Sequence, residues 1–262
     1  MQFGCCIRHP QELPLVKAAG YDFFEFSGQA LADLDAPSLQ QLLAAAQETA
    51  LPCVGLNAYC GETPAIVGEQ FSASQTAAYA QLVCERGALL GAPAIHIGSP
   101  AARRLPADYP HELAVRQCQT FLQITAKAAA QKGMRVRFEA LNDRCSDFAN
   151  TTAEAVQIVH AAFPQKIGLV LDFFHMYVMG ESLSEAEKAL PYLEHVHIST
   201  CGEHLQRGYP QEPEREWITL ILSWLKQHGY RRTVSIEGDA FHLEEAQRSL
   251  RLLRQLDRET GR

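Results

Sequence analysis

The stretch "KIGLVLDFFHM", residues 166–176, decides how the fold is read. Ile167 to Leu171 form an unbroken apolar run of strand length, as expected where a parallel sheet is covered on both faces. The run ends on Asp172, and His175 follows in the next turn of chain. A carboxylate closing a buried strand has three ordinary explanations: a helix cap, a solvated loop position, or a ligand held at the end of the strand.

Working outward, similar β-rich runs recur at QFGCC (2–6), YDFFEF (21–26), PCVGLN (52–57), APAIHIG (92–98), MRVRFEA (134–140), HVHIS (195–199) and TVSIEG (233–238). With IGLVLDF (167–173) they alternate with segments of helical period, the pattern of stacked βα units. Eight units in 262 residues predict an α/β protein, a (β/α)8 TIM barrel of about 250 residues, as one domain over 1–262. Trp217, Ile218, Leu220, Ile221, Trp224 and Leu225 share one predicted helix face, and Leu243, Ala246, Leu250, Leu253 and Leu256 another. Gly20, Gly91, Gly133 and Gly229 each precede a strand, where a helix commonly stops in the left-handed conformation. Thr151 and Thr152 before Glu154 read as a capped helix start.

The net charge of −7 and pI near 5.8 argue against a nucleic-acid partner, which needs a basic face. No apolar run reaches the length of a membrane span, and the opening MQFGCCIRHP lacks the basic and apolar regions of a signal peptide. No membrane partner and a cytoplasmic location are therefore expected. The eight cysteines include no Cys-x-x-Cys pair, which speaks against a disulfide framework and a zinc-thiolate site.

In a TIM barrel, side chains at the C-terminal ends of the strands face the active-site mouth. Glu139, Asp172, His197 and Glu237 stand near those ends on four consecutive barrel strands. Three converging carboxylates repel one another unless a cation neutralises them. An oxygen-rich set with one imidazole suits one divalent metal ion, Mn²⁺ first, with Mg²⁺ or Co²⁺ close behind and Zn²⁺ compatible.

Glu139 in "RFEALN", Asp172 and His175 in "LVLDFFHM", His197 in "HVHIS" and Glu237 in "SIEGD" resemble the signature of the xylose-isomerase-like TIM-barrel superfamily. Sugar isomerases, ketose 3-epimerases, inosose isomerases and dehydratases belong to it, as does an apurinic endonuclease branch. The resemblance spans the whole chain. It implies that Glu139, Asp172, His197 and Glu237 are metal ligands, and that His175 and Arg207 contact substrate. It also implies a small-molecule carbohydrate substrate and, through outer-helix pairing, a homodimer or homotetramer. Glu139 and Glu237 would be the catalytic pair, one taking a proton beside a metal-polarised carbonyl and the other returning it. His96, near the end of its strand, is read as lining the mouth and contacting substrate, with a core histidine as the alternative, and Glu25 as holding either a neighbouring side chain or a polar substrate group.

One departure bears on substrate. Ketose 3-epimerases carry a further glutamate six residues beyond the first ligand, where this chain has Cys145. A cyclitol, a phosphorylated sugar or a glycoside-derived keto-sugar is then as compatible as a free ketose. Arg103 and Arg104 are read as either a phosphate-accepting rim or a cover over the barrel. A dehydratase acting on the same site is the main alternative; a non-catalytic sugar-binding barrel and an apurinic endonuclease are the others. The last needs more metal ligands, and Asn57 stands where that branch would place a histidine.

Overall fold

The computed structural model describes residues 1–162 and 167–261, so Lys166, which opens the quoted stretch, lies outside the described residues. Eight strands close into a parallel barrel: β1 (Gln2–Ile7), β2 (Phe23–Ser27), β3 (Cys53–Asn57), β4 (Ala94–Ile97), β5 (Arg135–Glu139), β6 (Gly168–Asp172), β7 (Leu193–Ile198) and β10 (Thr233–Ile236). Each pairs in parallel with its sequence neighbour in the barrel, and β1 closes the ring between β2 and β10. A short antiparallel hairpin, β8 (Thr200–Cys201) and β9 (Arg207–Gly208), stands at the mouth after β7. The expected TIM barrel is the observed fold. Strand ends differ from the sequence reading by at most two residues, the ordinary uncertainty of element boundaries.

Every residue of β6 is buried, because helices cover the outer face of the strand while the barrel interior covers the inner. The main helices of that outer ring are α1 (Leu13–Ala19), α3 (Ala36–Thr49), α4 (Ala73–Leu89), α5 (His111–Gln131), α6 (Thr152–Ala162), α9 (Arg215–Gln227) and α10 (Leu243–Glu259), with the short α2 (Gly28–Asp33), α7 (Phe173–Met179) and α8 (Leu183–Ala186) between them. The start of α6 is the predicted one: Thr151 Oγ1 accepts from Glu154 N, and Glu154 Oε2 accepts from Thr151 N at 3.0 Å, the reciprocal capping box. α1 ends at Gly20, whose φ of 92° is open to glycine at little cost.

The face read for α9 needs one correction. Leu220 is 55% exposed, while Ile218, Ile221, Leu222 and Leu225 keep the i, i+3, i+4, i+7 stripe against the barrel. On α10, Ala246, Leu250, Leu253 and Leu256 are buried as expected. Among the described residues, no helix is long and apolar enough to cross a membrane. All eight cysteines are free.

Candidate functional site

Strand register brings the four candidate donors together. Asp172 on β6 lies directly opposite His197 on β7, Glu139 closes β5 beside β6, and Glu237 follows β10 with its N–H donating to Ile198 O at 3.1 Å. One donor atom from each of Glu139, Asp172, His197 and Glu237 lies within 4.8 Å of the others. Above them opens a cavity of about 470 Å³, lined by Glu139, Glu237, His175, Arg207, Cys145 and Arg144 among others.

Asp172 answers the question raised by its strand in two ways at once. Oδ1 accepts from Phe174 N at 2.8 Å and so caps α7 (Phe173–Met179), the short two-turn helix that follows. Oδ2 faces the site and accepts from Arg207 Nη2 at 2.5 Å. That helix in turn delivers His175, which is buried and not a loose loop residue. His175 Nδ1 accepts from Asn142 N at 3.1 Å, and burial lowers the ring's pKa to about 4, so the neutral ring carries its proton on Nε2, beside Arg207 and Asp172.

Arg207 reaches the site because the β8–β9 hairpin folds back over β10. Arg207 N donates to Asp239 Oδ2 at 2.9 Å and Asp239 N donates to Arg207 O at 3.0 Å, pinning the hairpin beside Glu237. The guanidinium then spans Asp172 and Glu237 Oε2, the latter at 3.0 Å, with its centre 4.5 Å above the Phe174 ring.

His96 and Glu25 lie below the mouth, and of the two readings open for each it is the buried one that the side chains adopt. Glu25 is 0% and His96 1% exposed, and neither lines the cavity. Their side chains point into the barrel below the mouth, hydrogen-bonded to each other at 2.7 Å. Strand periodicity shows that a side chain faces inward, but not how deep along the barrel axis it lies. Arg103 is likewise no rim: it is fully buried over Phe138, donating to Ile97 O at 2.7 Å and Glu139 O at 2.9 Å, so it ties the ends of β4 and β5 together. Arg104 is exposed, 3.5 Å from Asp147. The sequence reading missed Asn57 as a positioning group, although it stood at a strand end like the acids; its Nδ2 donates to Glu237 Oε1 at 2.9 Å.

The two glutamates that open to the cavity are unlike in charge. Burial pushes Glu139 up to about 7, against the opposing pull of His197. Burial also opposes ionisation of Glu237, but Arg207 and His197 outweigh it and hold that carboxyl well below the usual range. For His197, burial favours the neutral ring, and the carboxylates of Glu25 and Glu237 outweigh it to hold the ring well above its ordinary value.

The donor set fits a hard divalent cation: three carboxylates converge on one imidazole, and protonated His197 and Arg207 supply the neutralising charge in the metal-free chain. Gly98 adds a second sign of fit. A Cβ there would lie 2.5 Å from Glu139 Oε2, so the backbone is shaped to admit that carboxylate. Gly98→Ala is therefore expected to leave the thermal unfolding temperature nearly unchanged, since only the flexible end of Glu139 must move. It is expected to lower turnover by about 10²-fold through misplacement of that carboxylate; wild-type turnover in the variant would refute the reading.

Cation binding should displace protons from Glu139 and His197, so affinity rises with pH across about 6 to 8 and titration in two buffers of different ionisation enthalpy reveals proton release. Glu139, raised from 4.5 to about 7, contributes stability that is complete below the lower value and lost as pH rises through the higher. His197, raised above 6.5, acts in the same direction at higher pH. The metal-free chain should thus lose melting temperature on raising the pH past about 7, and the metal-saturated chain should not. Parallel melting curves for the two forms would contradict this.

The family model of the xylose isomerase-like TIM barrel matches residues 13–256. The chain belongs to this family. Among curated proteins, the inosose isomerase of Halalkalibacterium halodurans is 32% identical over 131 residues, which cover 47% of this chain and 45% of that protein. The chain thus spans about half the length of the curated relatives it matches. Among solved structures, D-psicose 3-epimerase of Clostridium cellulolyticum H10 superposes with a TM-score of 0.77 at 19% identity, over 98% of this chain and 99% of that one. The 3-keto-D-glucoside 4-epimerase of E. coli superposes at 0.73 and 20% identity, over 97% and 99%. At these identities the two structures show the shared fold.

Proposed function

We propose that this chain is a divalent-metal-dependent isomerase or epimerase of a keto-sugar or cyclitol, with Glu139 and Glu237 as its acid/base pair. The observation that carries the reading is that, of four clustered donors, the two glutamates are the ones that line the cavity. Glu139, Asp172, His197 and Glu237 would hold the ion, with Mn²⁺ favoured and Mg²⁺, Co²⁺ or Zn²⁺ compatible. When bound, the ion would polarise the substrate carbonyl and stabilise negative charge on it.

The protein's own groups divide the rest of the work. Glu237, held ionised by Arg207 and His197, takes the proton beside the carbonyl, and Glu139, the other carboxyl open to the cavity, is the partner that returns one. His175 Nε2–H and Arg207 are placed to donate to substrate oxygens at the cavity floor. Cys145 lines the cavity where ketose 3-epimerases carry a glutamate, so a cyclitol, a phosphorylated sugar or a glycoside-derived keto-sugar is as compatible as a free ketose. The cytoplasmic location and a homodimer or homotetramer belong to the same proposal.

The test is to incubate the Mn²⁺-loaded chain in D₂O with inososes, ketoses, sugar phosphates and 3-keto-glycosides and follow deuterium uptake by NMR. Uptake at the carbon beside the carbonyl, with a rearranged or inverted product, supports the proposal. Uptake accompanied by loss of water would assign the same pair to a dehydratase, and no exchange with any class would sink the proposal.

A further inference from the structure

Beneath the four donors the barrel interior carries a polar column, where such barrels are more often filled with branched aliphatic side chains. Glu25 on β2, His96 on β4, His195 on β7 and Ser235 on β10 are all buried. The Glu25 carboxylate is its hub. Oε2 lies 2.7 Å from His96 Nδ1, and Oε1 lies 2.6 Å from His195 Nε2 and accepts from the Ser235 hydroxyl. Both oxygens lie 3.3 Å from Nε2 of His197.

The protons in this column are set by what each neighbour can do. Arg137 Nη1 is a donor that keeps its proton, and it lies 2.9 Å from His96 Nε2. His96 Nε2 must accept, so its proton sits on Nδ1 and points at Glu25. The His96 ring is held there closely, since a Cβ on Gly55 would lie 2.4 Å from its Cε1. An ionised carboxylate only accepts, so His195 and His197 must each turn an Nε2–H toward Glu25. The remaining nitrogen of His197, Nδ1, then faces Glu139 Oε1 at 3.1 Å and Glu237 Oε2 at 3.4 Å.

We propose that Glu25 is a positioning residue that fixes the orientation and tautomer of His197, so that Nδ1 is the nitrogen offered to the cation. The inference rests on the metal-site reading of Glu139, Asp172, His197 and Glu237. His96, His195 and Ser235 would saturate the rest of the Glu25 carboxylate and keep it from turning away, with Arg137 fixing the tautomer of His96. A carboxylate behind a ligating imidazole fixes the ring and raises its basicity, and losing such a partner typically costs about 10–100-fold in metal affinity.

Glu25→Gln is the direct test, because an amide of the same size cannot accept from every imidazole and turns its own NH₂ toward one of them. Glu25→Asp withdraws the charge by one methylene and serves if the first variant unfolds. Mn²⁺ affinity of the full chain is measured by the electron paramagnetic resonance of free Mn²⁺, and the His197 tautomer by ¹⁵N NMR of the Zn²⁺-loaded protein. The expected result is one Mn²⁺ per chain, bound about 10–100-fold more weakly in the folded variants, and a wild-type His197 protonated on Nε2. Unchanged affinity in both folded variants, or a wild-type His197 protonated on Nδ1, would overturn the assignment while leaving the metal site standing. A second ion retained in Glu139→Gln, Asp172→Asn but lost on His195→Ala would overturn it differently, by making the Glu25 cluster a metal site of its own. No binding by wild type would take down the site reading and this inference together.

Discussion

Glu237→Gln is expected to lower turnover by about 10²–10⁴-fold or more while the chain stays folded. Glutamine keeps the size of the side chain and one oxygen for Asn57 Nδ2, which lies 2.9 Å from Glu237 Oε1, so the cavity keeps its shape. The amide removes the charge that Arg207 and His197 stabilise, and with it the group that accepts the proton. Glu139→Gln should cost a comparable factor. The double variant should lose little more than either single one, because the two glutamates act as a unit. The assay is deuterium exchange into the substrate found by screening, with circular dichroism to confirm folding. A Glu237→Gln enzyme retaining a tenth of wild-type exchange would remove Glu237 from the acid/base role.

Arg207→Met is expected to destabilise the metal-free chain by about 3–5 kcal/mol, the usual cost of removing one partner from a buried ion pair. The guanidinium spans Asp172 Oδ2 at 2.5 Å and Glu237 Oε2 at 3.0 Å, and its Nε donates to Glu237 O at 3.0 Å. Methionine is long enough to cover the Phe174 face, over which the guanidinium lies, but leaves the buried Asp172 and the partly buried Glu237 carboxylates without their cation. A divalent ion supplies the missing charge, so saturating Mn²⁺ should restore much of the loss. Denaturant unfolding with and without Mn²⁺ reads this directly. An equal small loss in both conditions would show that Arg207 does not balance these carboxylates.

The fold was legible because each unit carries several agreeing signals: an apolar run, a helical stripe and, at Gly20, Gly91, Gly133 and Gly229, a left-handed stop. The four clustered donors were legible because a charge at the end of an apolar strand is costly without a partner, and four on successive strands share one mouth. Depth was not legible. Glu25 and His96 face inward like the four clustered donors but lie a layer lower, and only the barrel register places them under His197. The His195-x-His197 alternation held a usable signal, since residues two apart on a strand share a face. Arg207 and Arg103 both sit in connecting segments, where arginine is normally solvated. One is carried to the site by the β8–β9 hairpin, and the other is buried by backbone carbonyls of two strands far apart in sequence.

Everything proposed for the site depends on Glu139, Asp172, His197 and Glu237 holding one divalent cation. The most direct test is metal stoichiometry by inductively coupled plasma mass spectrometry after equilibration with Mn²⁺, for wild type beside a Glu139→Gln, Asp172→Asn double variant shown to be folded. About one ion per chain is expected in wild type and none in the variant. A wild-type chain that takes up no ion, or a folded variant that keeps it, would contradict it.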